Sequence, residues 1–188
     1  MKFPTTYKIL NNNSFSKDEY SIVPIRYEDR LSIMQWRNEQ MYHLRQAQKL
    51  TKDQQDHYFK NVVSKLFSEE KPTQILFSYL KEDEIIGYGG LVHINWIDKN
   101  AEVSFIMKTE LEKEGFHNNW GQFLELLEIV AFKELSFHKL FVYAFNLRPH
   151  LYEAIEAKGF KNEAILKEHC LFEKRYIDVL IHSKFNRL

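Results

Sequence analysis

Cysteine is almost missing: Cys170 is the only one in 188 residues. A lone thiol excludes an intrachain disulfide framework and a cysteine-ligated zinc site, and it fits an intracellular chain. Net charge is missing too. The 26 basic side chains balance 26 acidic ones, so no overall field draws the chain to nucleic acid or an anionic membrane. No apolar run approaches the ~18 residues that a membrane span needs. The opening MKFPTTYKILNNNSFSKDEY lacks the apolar core and small-residue cleavage site of a signal peptide, so the expected compartment is the cytoplasm. Internal repeats, low-complexity tracts and interior linkers are also lacking, and the length suits one domain with a substantial core.

What is present is ordinary in bulk, with 44% hydrophobic and 28% charged residues. Aromatics reach 15%, enough for a thick core or an aromatic-lined cleft. Residues 1–19 are polar and Asn-rich and read as an arm of uncertain order, leaving 20–188 as the domain. YSIVPIR (20–26) alternates like a strand. EDRLSIMQWRNEQMYHLRQAQ follows as a helix with Leu31, Met34, Met41 and Leu44 on one stripe. Thr51 and Gln54 form a capping-box signature for a second helix, with Tyr58, Val62 and Leu66 at helical spacing. TQILFSYLKEDEIIGYGGLVHINW and AEVSFIM then read as an antiparallel three-strand meander. A helix bearing Trp120, Phe123, Leu124, Leu127 and Ala131, the strand HKLFVYAFN, a short helix ending at Gly159 and a closing strand pair complete the chain. The expected order is β-α-α-β-β-β-α-β-α-β-β, an α/β (α+β) domain with a mixed, mostly antiparallel sheet.

Two places carry chemistry. The loop EGFHNNWGQ (114–122) joins a strand to a helix, and the unpartnered N–H groups of a helix's first turn can hold an anion. With Asn119 as cap and Gln122 three positions on, the N–H groups of Trp120, Gly121 and Gln122 would occupy that first turn. An ordinary capped helix accounts for the same residues. The second place is a strand pair. With a turn of two or four residues, alternation puts His93, Asn95, Glu102 and Ser104 on one face of the sheet. A histidine and a carboxylate on an otherwise apolar sheet are costly unless they pair or function. No spacing suggests a metal site.

The element order, with EIIGYGGLVHI, AEVSFIM and the helix-plus-KGF ending of RPHLYEAIEAKGF, resembles the GNAT family of acetyl-CoA-dependent N-acyltransferases over about residues 20–185. MQWRNE with AEVSF looks most like the branch of ribosomal-protein N-terminal and amino-sugar acetyltransferases. The resemblance implies acetyl-CoA as co-substrate, no metal, and direct transfer to a primary amine. It makes 114–122 a glycine-poor version of the loop that binds the cofactor pyrophosphate, so Asn119, Trp120, Gly121 and Gln122 become cofactor candidates. Main-chain contacts to pantetheine would come from Phe105, Ile106 and Met107, and Asn146 could bond the same arm. Arg148 is a candidate phosphate contact. Glu102 matches the usual base, with His93 as partner or substitute. The family's frequent tyrosine acid is replaced by Ile155, which leaves Tyr152, one turn earlier, or Tyr143. The acceptor would meet Trp36, Arg37, Asn38, Tyr42, Arg45 and Asn95. These suit an amino-sugar on a nucleotide diphosphate and tolerate a peptide N-terminus; a polycation is disfavoured by the lack of an acidic run. The expected assembly is a monomer or homodimer. The rival reading is a non-catalytic acyl-CoA-binding module, favoured by the glycine-poor loop and Ile155.

Overall fold

The computed structural model describes residues 2–44 and 46–187. Eight strands form one sheet in the order β1-β2-β3-β4-β5-β6-β8-β7. They are β1 (Phe15–Lys17), β2 (Tyr20–Pro24), β3 (Ile75–Lys81), β4 (Glu84–Asn95), β5 (Asn100–Met107), β6 (Lys139–Phe145), β7 (Lys161–Phe172) and β8 (Arg175–Phe185). Every neighbouring pair is antiparallel except β5 and β6, which run parallel. The helices are α1 (Arg30–Glu39), α2 (Lys52–Tyr58), α3 (Ser64–Leu66), α4 (Phe116–Glu128) and α5 (Pro149–Glu156). From β2 onward the expected order holds, with α3 continuing α2 through a π-helical stretch, Phe59–Val63.

Four expectations about local structure are corrected. The segment set apart as an arm packs on the sheet: Tyr7 is buried, its hydroxyl donates to the Leu76 carbonyl at 2.9 Å and accepts from the Leu76 N–H at 3.0 Å, and β1 pairs with β2. The first helix stops at Glu39, so Met41 and Leu44 do not share its face, and Leu31 is exposed. Its inner stripe is Ile33, Trp36 and Gln40; the buried Gln40 amide donates to the Met107 carbonyl at 2.8 Å. A polar side chain on the inner face hid that stripe from a count of apolar residues. The second helix has its capping box, but Phe59, Val63 and Leu66 are buried while Val62 is exposed. The π-helical turn, with its i→i+5 bonding, moves the inward face off the regular 3.6 period. The fourth correction is the start of α4. Gly115, at φ 92°, is the N-cap, a left-handed conformation that costs glycine little. Asn119 therefore lies inside the helix, its amide donating to the Gly115 carbonyl at 2.9 Å and its oxygen accepting from Tyr79.

Helices cover both faces of the sheet. The expected apolar stripe of α4 is buried throughout, with Phe123 stacked on Phe105 of β5 at 4.1 Å. The approach is close because β4 carries Gly89: a Cβ there would lie 2.9 Å from the Phe123 ring and 2.1 Å from the Ser104 carbonyl oxygen. On the opposite face, Arg37 of α1 donates to the Tyr88 hydroxyl at 2.7 Å, and Ser78 of β3 donates to Asp29 at 2.6 Å.

Candidate active site

The sheet splits in its middle. Parallel pairing of β5 with β6 covers only Asn100↔Lys139, Ala101↔Leu140 and Glu102↔Phe141. Beyond that, β5 follows β4 to Met107 and β6 follows β8 to Phe145. The strands diverge because each keeps its antiparallel partner, and the backbone edges between them lose their ladder. Into this fork opens a cavity of about 510 Å³, lined by Val103–Ile106 of β5, Val142–Phe145 of β6, and Trp120, Arg148 and Leu151 from the helices. Glu102 stands at the apex, on the last paired rung.

His93 reaches Glu102 by a route that alternation did not foresee. The register pairs Val92 with Glu102 and Gly90 with Ser104, then shifts before Asn95↔Asn100. Val92, not His93, is thus the cross-strand neighbour, so regular alternation does not put His93, Asn95, Glu102 and Ser104 on one face; His93, Glu102 and Ser104 still line one cavity, and Asn95 does not. A β-bulge brings the histidine in instead. His93 has φ 48°, and its Nε2 lies 3.8 Å from Glu102 Oε2. The Glu102 side chain is 15% exposed and that of His93 65%, so the carboxylate sits inside the fork and the imidazole at its rim. Bulges recur beside functional sites because they re-aim side chains in this way. Asn95 turns away: its oxygen accepts from the N–H groups of Ile97 and Asp98 and its amide donates to Asp98, so it holds the β4–β5 turn.

The other expected residues divide. Phe105, Ile106 and Trp120 line the cavity, while Met107 is in the core beside it. Gly121 faces α5, where an added Cβ would meet the Lys158 side chain at 2.5 Å, and the Gln122 Oε1 is buried without a hydrogen-bond partner. With helix bonding starting at Gly115, the free first-turn N–H groups belong to Phe116, His117 and Asn118, not to Trp120, Gly121 and Gln122. Asn146 is exposed and lies outside the lining. Tyr152 also lies outside it: its hydroxyl donates to the Phe145 carbonyl at 3.2 Å, and its ring stacks on His182 at 4.9 Å. Burial pushes its phenol up to about 12. Ile155 is fully buried core. Tyr143 of β6 does line the cavity. It shares the Glu102 face, since parallel partners Glu102 and Phe141 point the same way and Tyr143 follows two residues on.

Of the acceptor candidates, Arg37 alone among the described residues lines the cleft. Trp36 is buried core, and Asn38 fastens the following loop by bonds with both backbone groups of Leu50 and with Gln46. Tyr42 is half exposed against His43. Arg45 lies outside the described residues. A second cavity of about 330 Å³ adjoins the first between α1, α2, β3 and β4, with Gln54, Tyr58, Gln74, Leu76 and Tyr88 in its wall. The sequence reading missed Gln74, which lines both cavities, together with His43, Tyr58 and Tyr88. Tyr88 had a signal, since it lies in EIIGYGGLVHI on the strand next to the candidate base.

Charge at the cleft mouth is tightly arranged. Arg148, buried at the N-cap of α5, contacts Glu112 at 3.3 Å and His43 Nε2 at 3.3 Å. Burial, then the Arg148 charge, pushes His43 down to about 3, so it stays neutral and accepts the guanidinium's hydrogen bond. Burial raises the Glu112 carboxyl, with Arg148 opposing. Among the described residues no group of three metal-ligating side chains occurs, and no helix is long and apolar enough to cross a membrane.

Comparison with known proteins matches this geometry. The spermidine N-acetyltransferase of Vibrio cholerae, solved with CoA and spermine, superposes with a TM-score of 0.78 at 19% identity, covering 90% of this chain and 97% of that one. Its dodecameric form in an intermediate state gives 0.73 at 19% identity, with 90% and 95% covered. A putative acetyltransferase gives 0.71 at 14%, with 93% and 87% covered. At these identities the likeness establishes the fold. The family model described as "Acetyltransferase (GNAT) domain" matches residues 22–181. With most of its length matched and the β5–β6 fork in place, the chain belongs to the GNAT acetyltransferase family and is an acetyl-CoA-dependent N-acetyltransferase.

Proposed function

We propose that the enzyme moves the acetyl group of acetyl-CoA directly to a primary amine, of an amino-sugar or similar small molecule or of a peptide N-terminus, with Glu102 as the base. The observation that carries this reading is Glu102 at the apex of the fork, in the wall of the donor cavity and paired across the sheet with Val92, which lines both that cavity and a second one for the acceptor. The fork suits an amide-rich pantetheine arm, because the backbone edges of Val103–Ile106 and Val142–Phe145 face the cavity without ladder partners from each other. The first-turn N–H groups of α4, at Phe116, His117 and Asn118, are the site for the pyrophosphate, favoured by the helix dipole.

Chemistry then needs three groups. Glu102 takes the proton of the acceptor nitrogen, directly or through one water, with His93 beside it to pass the proton to solvent. The new C–N bond forms as the C–S bond breaks. Tyr143, on the same face of the fork and with its hydroxyl 3.9 Å from the Cys170 thiol, gives its proton to the departing sulfur; Tyr152 is the weaker candidate, since it lies outside the cavity lining. A thioester is already activated, so neither a metal nor an acyl-enzyme is required. The V. cholerae neighbours are named for a polyamine substrate, which agrees with an amine acceptor at the level of chemical class. Residues of one chain line both cavities, consistent with a monomer or homodimer. The near-absence of cysteine fits a cytoplasmic enzyme.

Calorimetric titration with acetyl-CoA and CoA, followed by amine-dependent thiol release over a broad amine panel, tests the reading. Micromolar binding with release is expected. Binding without release for every amine would favour a non-catalytic acyl-CoA module, and absence of binding would discard the reading.

A further inference from the structure

The two cavities meet at Arg37. It lines both, together with Gln74, Val92 and Ser104. The described lining of the second cavity contains no aspartate or glutamate, and Arg37 is its charged member. A half-buried guanidinium normally stands against a carboxylate, because partial loss of hydration must be matched by charge or hydrogen bonds. Other arginines of this fold follow that pattern: Arg26 with Asp29 at 2.6 Å, Arg30 with Asp56 at 2.5 Å, and Arg148 with Glu112 at 3.3 Å. Arg37 departs from it. Its Nε donates to the Gln46 amide oxygen at 3.1 Å and its Nη1 to the Tyr88 hydroxyl at 2.7 Å, both neutral acceptors. These two bonds fix the plane of the fork, while Nη2 has no bonded partner among the described residues. Burial raises the nearby Tyr58 phenol, which therefore stays protonated and uncharged.

We propose that the acceptor carries an oxyanion, a phosphate or a carboxylate, besides its reacting amine, and that Arg37 binds this oxyanion where the two cavities join. The inference rests on the reading above that the second cavity receives the acceptor. Arginine's planar fork matches both oxyanions, and bonds between charged groups are the strong ones. Glu102 and Arg37 then form the two poles of the site: the carboxylate receives the amine end and the guanidinium the anionic end. A polyamine fits poorly. Its second ammonium would meet Arg37 and a wall of glutamine, tyrosine and aliphatic side chains, with no carboxylate in the described lining to receive it.

The test compares thiol release with four acceptors: glucosamine 6-phosphate, glucosaminic acid, glucosamine and spermidine. The phosphate and carboxylate arms identify which oxyanion is used. Wild type should favour at least one anionic acceptor over glucosamine in kcat/KM by about tenfold or more, mostly through KM. Arg37→Gln should erase that preference while leaving acetyl-CoA binding intact, and Arg37→Lys should restore part of it. Equal use of glucosamine, preference for spermidine, or an unchanged ratio in Arg37→Gln overturns the proposal while the acetyltransferase reading stands. If none of the four is acetylated, calorimetry on the CoA-saturated enzyme decides. Binding of either anionic sugar by wild type but not by Arg37→Gln keeps the anion site; equal binding by both, or none by wild type, discards it.

Discussion

Glu102→Gln preserves the shape of the side chain at the fork and removes its capacity to take a proton. The demand on that proton acceptor is large. A primary amine with the lysine value of about 10.4 is neutral in roughly one molecule in 2,500 at pH 7. A positioned general base typically contributes about 10²–10⁴-fold, or about 2.7–5.4 kcal/mol of barrier at 1.36 kcal/mol per decade. The geometry argues for the lower end. His93 Nε2 is 3.8 Å from the carboxylate and open to solvent, so a secondary route for the proton survives. Turnover should fall about 100-fold near neutral pH, with the KM for acetyl-CoA little changed, because the contacts proposed for the donor in the fork are to backbone. The pH profile carries a second signature. Without the base, kcat/KM should climb about tenfold per pH unit up to the amine's own pKa, because only the neutral fraction reacts. Wild type should level off earlier. Thiol release at saturating acetyl-CoA from about pH 6 to 10 reads both effects. Full activity of Glu102→Gln at neutral pH would refute the reasoning. Loss confined to His93→Ala would move the role to the histidine.

Three further outcomes are expected. Tyr143→Phe should lower kcat by about tenfold or more as the proposed acid for the leaving sulfur is lost, whereas Tyr152→Phe should mainly cost stability, about 1 kcal/mol for its bond to Phe145; the reverse order of kcat effects would assign the acid to Tyr152. His93 sits at φ 48°, so His93→Gly should relieve about 1–2 kcal/mol of backbone strain that His93→Ala retains. Urea melts separate the two variants, and equal stability would show that the bulge is unstrained. Tyr7→Phe removes a buried hydroxyl bonded to both backbone groups of Leu76 and should lower unfolding free energy by about 1–3 kcal/mol; no change in the denaturant midpoint would mean that the first residues are not part of the cooperative unit.

The sequence by itself determined the element order from β2 onward, because hydrophobic periodicity and capping are local properties. The Thr51–Gln54 box, the buried face of α4 and the β3–β4–β5 meander were all readable from spacing. It also supplied Glu102, which short-range alternation marks as an oddity on an apolar strand. Tertiary structure decided the rest. No pattern within β5 or β6 announces that their pairing stops at Glu102↔Phe141; the fork arises because each strand stays with its other neighbour. His93 meets Glu102 through a bulge, and one extra residue reverses which side chains share a face. The start of α4 moved from Asn119 to Gly115 because a glycine in the left-handed region, not an asparagine side chain, caps it. Gln40 and Tyr7 escaped notice for a common reason: both are polar groups buried on distant backbone partners, and sequence spacing cannot register a bond made across 67 or 69 residues. Arg37 was readable as a charge near the acceptor side, but its neutral partners, which leave one arm of the guanidinium for a ligand, exist only in the folded chain.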